Sequence, residues 1–253
     1  MNVIDCKDID CSFLKKKFKL FENQGTGGFI LIHNEKLLIK KINKINEINN
    51  IIKIINLFKN YQYRIFITSY YKAYIYENEY YIFMKRYDNS IRFIEYDNIS
   101  EFKNLIQQAL IFTLFLNFDL NLYHNDLHLK NCLFKKINHS ISIKFRYLKL
   151  TIKNKLLKII DFNTLSDKIN QHGIIGRKIL KNKKIKNDFI YFLLSCLTYF
   201  RISKNKVIIQ KTKNFNYNNI FQIIKNLNIQ NNLDDFIELY KYIDLNFNKL
   251  FSF

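Results

Sequence analysis

The chain has 253 residues, 48% of them apolar and 25% charged, with 41 Lys and Arg against 21 Asp and Glu and a formal net charge of +20. That length and balance describe a globular, soluble chain able to bury a sizeable core as one large domain or two small lobes. They exclude a bilayer-spanning helix, since the longest apolar stretch runs only from Phe189 to Phe200 and is broken by Ser195 and Thr198.

The start of the chain, from Met1 to Asp10, carries acids and lacks an apolar run, so it reads as no secretory signal. Cys6, Cys11, Cys132 and Cys196 form no CxxC pair and no zinc-ligand spacing, which predicts reduced thiols in a cytosolic compartment. A basic surface attracts nucleic acid, ATP, acidic proteins or anionic membrane. The lysines are scattered, however. AT-biased coding also explains the many Ile, Asn, Lys, Phe and Tyr residues and the absence of Pro and Trp.

Strands are predicted from about Phe18 to Lys41. Gly28–His33 is apolar, Asn34-Glu35 is a turn signal, and Lys36–Ile42 resumes an apolar run. Between 43 and 59, Ile45, Ile48, Ile51, Ile52, Ile55 and Phe58 follow helical spacing. Residues 61–87 are dense in Tyr, Ile and Phe, with a turn at Glu77-Asn78, which predicts two or three more strands. Ser100 is placed to cap a helix running to about Phe118, with Leu105, Ala109, Phe112 and Leu116 on one face. A strand-rich stretch follows from Cys132 to Ile160, with a hairpin over Ile141–Lys155. Asn187 or Asp188 then opens an apolar helix, and the last forty residues read as two or three amphipathic helices. The expected fold class is α+β: an N-terminal antiparallel β-sheet lobe with one helix over residues 1–86, and a mostly helical C-terminal lobe over 87–253. The domain is counted from Phe18 to Phe253. A cleft between two such lobes is a common place for a ligand.

Five segments carry the chemistry. Tyr123-His124-Asn125-Asp126-Leu127-His128-Leu129-Lys130-Asn131 lies between a long apolar helix and a short apolar strand. Its Asp126 can orient a hydroxyl nucleophile and accept its proton, and the amide oxygen of Asn131 can ligate a hard cation. Leu157-Lys158-Ile159-Ile160-Asp161-Phe162-Asn163 is an apolar strand that delivers a carboxylate, with Asn163 able to tolerate positive φ in the turn. Gly25-Thr26-Gly27-Gly28-Phe29 holds three of the five glycines of the chain, where backbone N–H groups can approach phosphate. Leu37-Leu38-Ile39-Lys40 alternates so that Leu38 and Lys40 share a face, and Glu47 is the only acid between Lys36 and Glu77. Asn187-Asp188-Phe189 opens the buried helix.

In this order the segments resemble the protein-kinase superfamily, over nearly the whole chain. The first is similar to the catalytic loop H-R-D-L-x-x-x-x-N, the second to D-F-G, the third to the glycine-rich loop and the fourth to the V-A-I-K strand. The resemblance implies a bilobal kinase-like fold and an ATP-dependent phosphotransferase, a divergent serine/threonine protein kinase of viral or haspin-like kind. Asp126 would be the catalytic base. Gly25, Thr26, Gly27, Gly28 and Phe29 would cover the phosphates of ATP, and Lys40, fixed by Glu47, would steady them. Asn131 and Asp161 would hold Mg²⁺, with Mn²⁺ as a substitute, and His128 or Lys130 would approach the γ-phosphate. Asp188 would brace the catalytic loop.

The chain departs from the pattern at several points. Asn125 stands where many relatives have Arg, His128 where protein-serine kinases have Lys, Asn163 for Gly and Ile30 for the third glycine. No A-P-E follows, and the link from Lys40 to Glu47 is short. Two alternatives stay open: a small-molecule kinase of the aminoglycoside or choline type, whose loop also reads H-x-D-L-H-x-x-N, and an inactive basic module that binds nucleotide or nucleic acid. A protein substrate is the expected partner, with nucleic acid a second class through the basic surface and no membrane. The expected location is the cytoplasm, of a host or in a virion if the chain is viral. Thr164 and Ser166 read as ordinary loop polar groups.

Overall fold

The computed structural model describes residues 1–7, 11–15, 19–23, 29–32, 34, 36–42, 45–87, 89–90, 99–169, 187–203, 206–209, 218–227 and 232–251. The fold is α+β and divides into two compact units, Met1–Asp88 with Ile159–Asn163, and Asn89–Lys158 with Thr164–Phe253. Among the described residues no helix is long and apolar enough to cross a membrane.

The first unit is built on a six-stranded sheet. Its strands are β1 (Asn2–Asp5), β2 (Lys19–Asn23), β3 (Phe29–Ile32), β4 (Leu37–Ile42), β5 (Tyr70–Tyr76) and β6 (Glu79–Lys85), in the order β1-β5-β6-β4-β3-β2. The expectation of a purely antiparallel sheet beginning near Phe18 is corrected here. β1 pairs parallel with β5, Asn2 against Lys72 through Asp5 against Ile75, so the first residues complete the sheet edge. The β5–β6 turn falls on Glu77 and Asn78, with φ of 51° and 63°, the left-handed pair that a two-residue hairpin requires. Residues 62–66, expected within a strand-rich stretch, form a 3-10 turn instead.

Both faces of the sheet are covered, which is why β4 buries consecutive residues. Ile39 packs with Cys11, Leu14, Tyr81 and Phe83, while Leu38 packs with Met84. The Cys11–Leu14 segment is tied down by a disulfide between Cys6 and Cys11, whose Cα atoms lie 5.8 Å apart. The expectation of four reduced thiols therefore fails at this pair, which the fold places within bonding distance although no zinc or CxxC spacing marks it. Cys132 and Cys196 are free and buried, and burial pushes both thiols up and keeps them protonated. Helix α1 (Asn46–Leu57) follows β4 closely and buries Glu47, Ile48, Ile51 and Ile54.

The second unit holds α2 (Ile99–Leu114), β7 (Asn89–Ser90), β8 (Cys132–Lys136), β9 (Ile141–Phe145), β10 (Leu148–Ile152), β11 (Lys155–Ile159), α3 (Asp188–Tyr199), β12 (Phe200–Ser203), β13 (Lys206–Ile209), α4 (Asn218–Asn226) and α5 (Leu233–Phe251). It is less purely helical than expected, with seven strands in three small sheets among the described residues. The expected hairpin is β9–β10, pairing Ile141 with Ile152 and turning at Arg146. Its period-2 pattern buries Ile143, Phe145, Leu148 and Leu150. Ser100 lies inside α2 and not ahead of it. α2 ends at Leu114 and widens into a π turn over Phe115–Asp119. Aromatic pairs join the helices: Phe102 of α2 meets Phe247 of α5 at 5.9 Å, and Phe189 of α3 meets Phe236 of α5 at 5.5 Å.

Candidate active site

In the first unit, Lys40 lies on β4 on the same strand face as Leu38, as alternation predicts, and it is 4% exposed. A buried ammonium needs partners. Its Nζ donates to Glu47 Oε1 at 2.7 Å and to Asp161 Oδ1 at 2.9 Å. The short link after β4 does not prevent the Lys40–Glu47 pair. α1 begins at Asn46, so Glu47 falls in its first turn, where a carboxylate also suits the helix dipole. Lys41, the competing lysine, pairs with Glu79 at the surface.

Asp161 reaches Lys40 from 121 positions away because its segment is anchored on both sides. Upstream, the Thr68 hydroxyl donates to the Ile159 carbonyl at 3.0 Å, next to an Ile67–Ile159 bridge. Downstream, Asn50 Nδ2 donates to the carbonyls of Phe162 at 2.9 Å and Asn163 at 3.2 Å. The positive φ expected at Asn163 falls instead on Asp161, at 65°. Asp, like Asn, enters that region at modest cost.

One cation thus faces two carboxylates. For Lys40, burial lowers the ammonium pKa, but the charges of Asp161 and Glu47 together outweigh it and raise the ammonium above its usual value. For Glu47, burial pushes the carboxyl up to about 7, with Lys40 opposing and Asp161 adding to the rise.

In the second unit, the loop 124–129 alternates. His124 and Asn125 are buried, as are Leu127 and Leu129, while Asp126 and His128 are half-buried. Leu127 and Leu129 anchor the loop in the core and present Asp126 and His128 away from it. Asp188, at the start of α3, accepts the backbone N–H of His124 at 2.6 Å and that of Asn125 at 2.9 Å. Asn117 Nδ2 joins Asp188 at 3.0 Å, aimed there by the π turn at the end of α2. Asn187 caps α3, its Oδ1 accepting the Phe189 N–H at 2.7 Å.

Asp126 Oδ1 accepts the Tyr191 hydroxyl at 3.0 Å, and Oδ2 lies 3.8 Å from His128 Nε2. Asn131 is buried and donates through Nδ2 to the Asp126 carbonyl at 2.9 Å, which assigns its Oδ1 as the acceptor end of the amide. Asn125, with φ of 64°, binds the segment that follows Asp161. Its Nδ2 lies within 3.1 Å of the Thr164 carbonyl, 3.0 Å of Ser166 Oγ and 3.0 Å of the Lys168 carbonyl. Thr164 Oγ1 donates to the His124 carbonyl at 2.6 Å, and Tyr123 and Ser166 form a two-way backbone bridge. Thr164 and Ser166 are therefore structural contacts of the loop, more than the ordinary loop polar groups expected.

The structure brings Lys40, Glu47 and Asp161 together in one unit, and Asp126, His128 and Asn131 in the other. Gly25, Thr26, Gly27 and Gly28 lie outside the described residues. Phe29 opens β3, and its side chain, like that of Lys130, lies outside them too. Sequence reasoning missed Asn50, Thr68, Asn117 and Tyr191. Two of them carried a signal: Asn50 stands three residues after Glu47 and Tyr191 three after Asp188, the spacing that shares a helix face. Among the described residues no three His, Cys, Asp or Glu side chains gather as a metal cluster.

No family model matches this chain, and no curated protein does. Among solved structures it is similar to the crystal structure of a kinase domain, at 21% identity over 62% of this chain and 53% of that one, with a TM-score of 0.40. The chain thus matches about half the length of that kinase domain.

Proposed function

We propose that the chain is an ATP-dependent phosphotransferase, a serine/threonine protein kinase that moves the γ-phosphoryl group of ATP to a protein hydroxyl. The observation that carries this reading is the buried Lys40 ammonium held between Glu47 and Asp161. A lysine set between two carboxylates is pre-positioned to meet phosphate oxygens, and its partner on α1 keeps it in place. Nothing in a purely structural ion pair calls for a second carboxylate carried on a positive-φ turn.

In this reading Asp126 orients the acceptor hydroxyl and takes its proton, and Lys40 offsets charge on the transferring phosphates. The donor set fits Mg²⁺ in its chemistry: a carboxylate from Asp161 and an amide oxygen from Asn131 are hard oxygen donors. Mg²⁺ is commonly held by one or two protein oxygens, with waters and phosphate completing its shell. When bound, the ion supplies neutralisation of the phosphate charge. The protein's own part is positioning and electrostatic stabilisation.

The test is transfer from γ-labelled ATP, offered to basic and acidic proteins beside a panel of aminoglycosides and choline. Labelled protein that disappears in Asp126→Asn is the expected result. Labelling of the small molecules alone would overturn the protein-kinase reading, and no labelling of any acceptor would overturn the phosphotransferase reading as a whole.

A further inference from the structure

α3 is apolar on every side, and each residue from Asn187 to Cys196 is buried. A phenol hydroxyl in such a helix has to find a partner. That of Tyr191, on a residue 3% exposed, finds Asp126 Oδ1. One turn earlier on the same helix, Asp188 grips the amides of His124 and Asn125. The i, i+3 spacing therefore lets a single turn of α3 hold both the loop backbone and the next side chain along it. The backbone of Asp126 is held as well, by Asn131 Nδ2 on its carbonyl. The side chain stays 32% exposed, and its second oxygen lies 3.8 Å from His128 Nε2.

We infer that Tyr191 is a positioning residue for Asp126, holding the carboxylate by Oδ1 so that Oδ2 receives the proton of the acceptor hydroxyl. The inference rests on the phosphotransferase reading. In the step it serves, the acceptor oxygen bonds to the γ-phosphorus. The bond from that phosphorus to the β,γ-bridging oxygen breaks, its electron pair leaving with ADP, and the hydroxyl proton passes to Oδ2. A carboxylate free to rotate about χ1 and χ2 would aim neither oxygen at the acceptor hydroxyl for part of the time. Small misplacements of a catalytic group cost rate out of proportion to their size.

The test uses the full chain as wild type, Tyr191→Phe, Asp126→Ala and the double variant. Tyr191→Phe keeps the ring and deletes only the hydroxyl. The expected result is a kcat lower by about tenfold or more, a KM for ATP within about twofold of wild type, and no further loss when Tyr191→Phe is added to Asp126→Ala. A purely structural tyrosine would instead lower kcat in both backgrounds. An active wild type whose Tyr191→Phe variant keeps its kcat overturns this inference alone. A wild type that transfers phosphoryl to nothing overturns the phosphotransferase reading, and this one with it. If Tyr191→Phe does not fold, a crystal structure of the wild type decides: Asp126 in one rotamer on the Tyr191 hydroxyl supports the inference, and Asp126 turned away overturns it.

Discussion

Around Lys40, three charged side chains meet, one ammonium between two carboxylates. Around Asp126, the contacts are mostly neutral: amides, a phenol, hydroxyls and carbonyls, with the buried Asp188 as the one carboxylate that takes several donors at once. The first arrangement responds to charge. A proton on either carboxylate changes which of them Lys40 serves, because one ammonium cannot neutralise two. The second holds a shape. It is built from several bonds at once, so removing one group breaks those that group makes.

The sharpest way to break the comparison is to remove one residue from each side. Asp126→Asn is expected to lower turnover about 10³-fold, the scale of a lost general base, while ATP affinity stays within about twofold. Lys40→Met should show the opposite balance, with weaker ATP binding as its first effect. Titration of a fluorescent nucleotide beside a labelled-phosphate assay reads both. If the two variants fail in the same way, the division between an adjustable and a fixed half is wrong.

Next in size is Asp188→Ala. It strips acceptors from two buried backbone amides and from Asn117, at roughly 1–3 kcal/mol for each buried donor left unsatisfied. A loss of stability of about 3–5 kcal/mol is expected from chemical denaturation. A loss under about 1 kcal/mol would mean that water or another group replaces the carboxylate.

A smaller effect separates the halves by pH. The Glu47 carboxyl is raised from 4.5 to about 7 in the folded chain. The folded state therefore binds its proton more tightly than the unfolded state does. That contribution to stability is fully present below about pH 4.5 and is lost as pH rises through about 7. Denaturation midpoints at pH 5 and pH 7.5 should differ in the wild type in that direction, and the difference should shrink in Glu47→Gln. An unchanged slope in the variant would assign the pH dependence to another group.

The smallest expected effect is none. Asn125 binds the 164–168 segment through neutral bonds, where an arginine would wait for a phosphate. Phosphatase-treated protein should keep its activity within about twofold. A drop of about a hundredfold would show that the segment needs a phosphate after all.

Residues close in sequence were legible as structure. Alternation along 37–42 put Lys40 on the face of Leu38, helical spacing placed α1, the Glu77-Asn78 pair announced its hairpin, and Asn187-Asp188 marked the start of α3. Each is a local matter of dihedral preference, periodicity or capping, and such preferences act over one or two turns. Lys40, Glu47, Asp126, Asn131 and Asp161 were each singled out by their own segments, but only the family resemblance joined them into one set, since no spacing rule links residues 121 positions apart.

Only the tertiary structure decided which of these residues meet. It decided that Asp161 carries the positive φ in place of Asn163, that β1 closes the sheet in parallel, and that Cys6 and Cys11 join. It also placed the Tyr191 hydroxyl on Asp126. The physical reason is the same in each case. A buried polar group or an open strand edge must find a partner, and that partner is chosen by what the packed chain brings within 3 Å, which no local window contains.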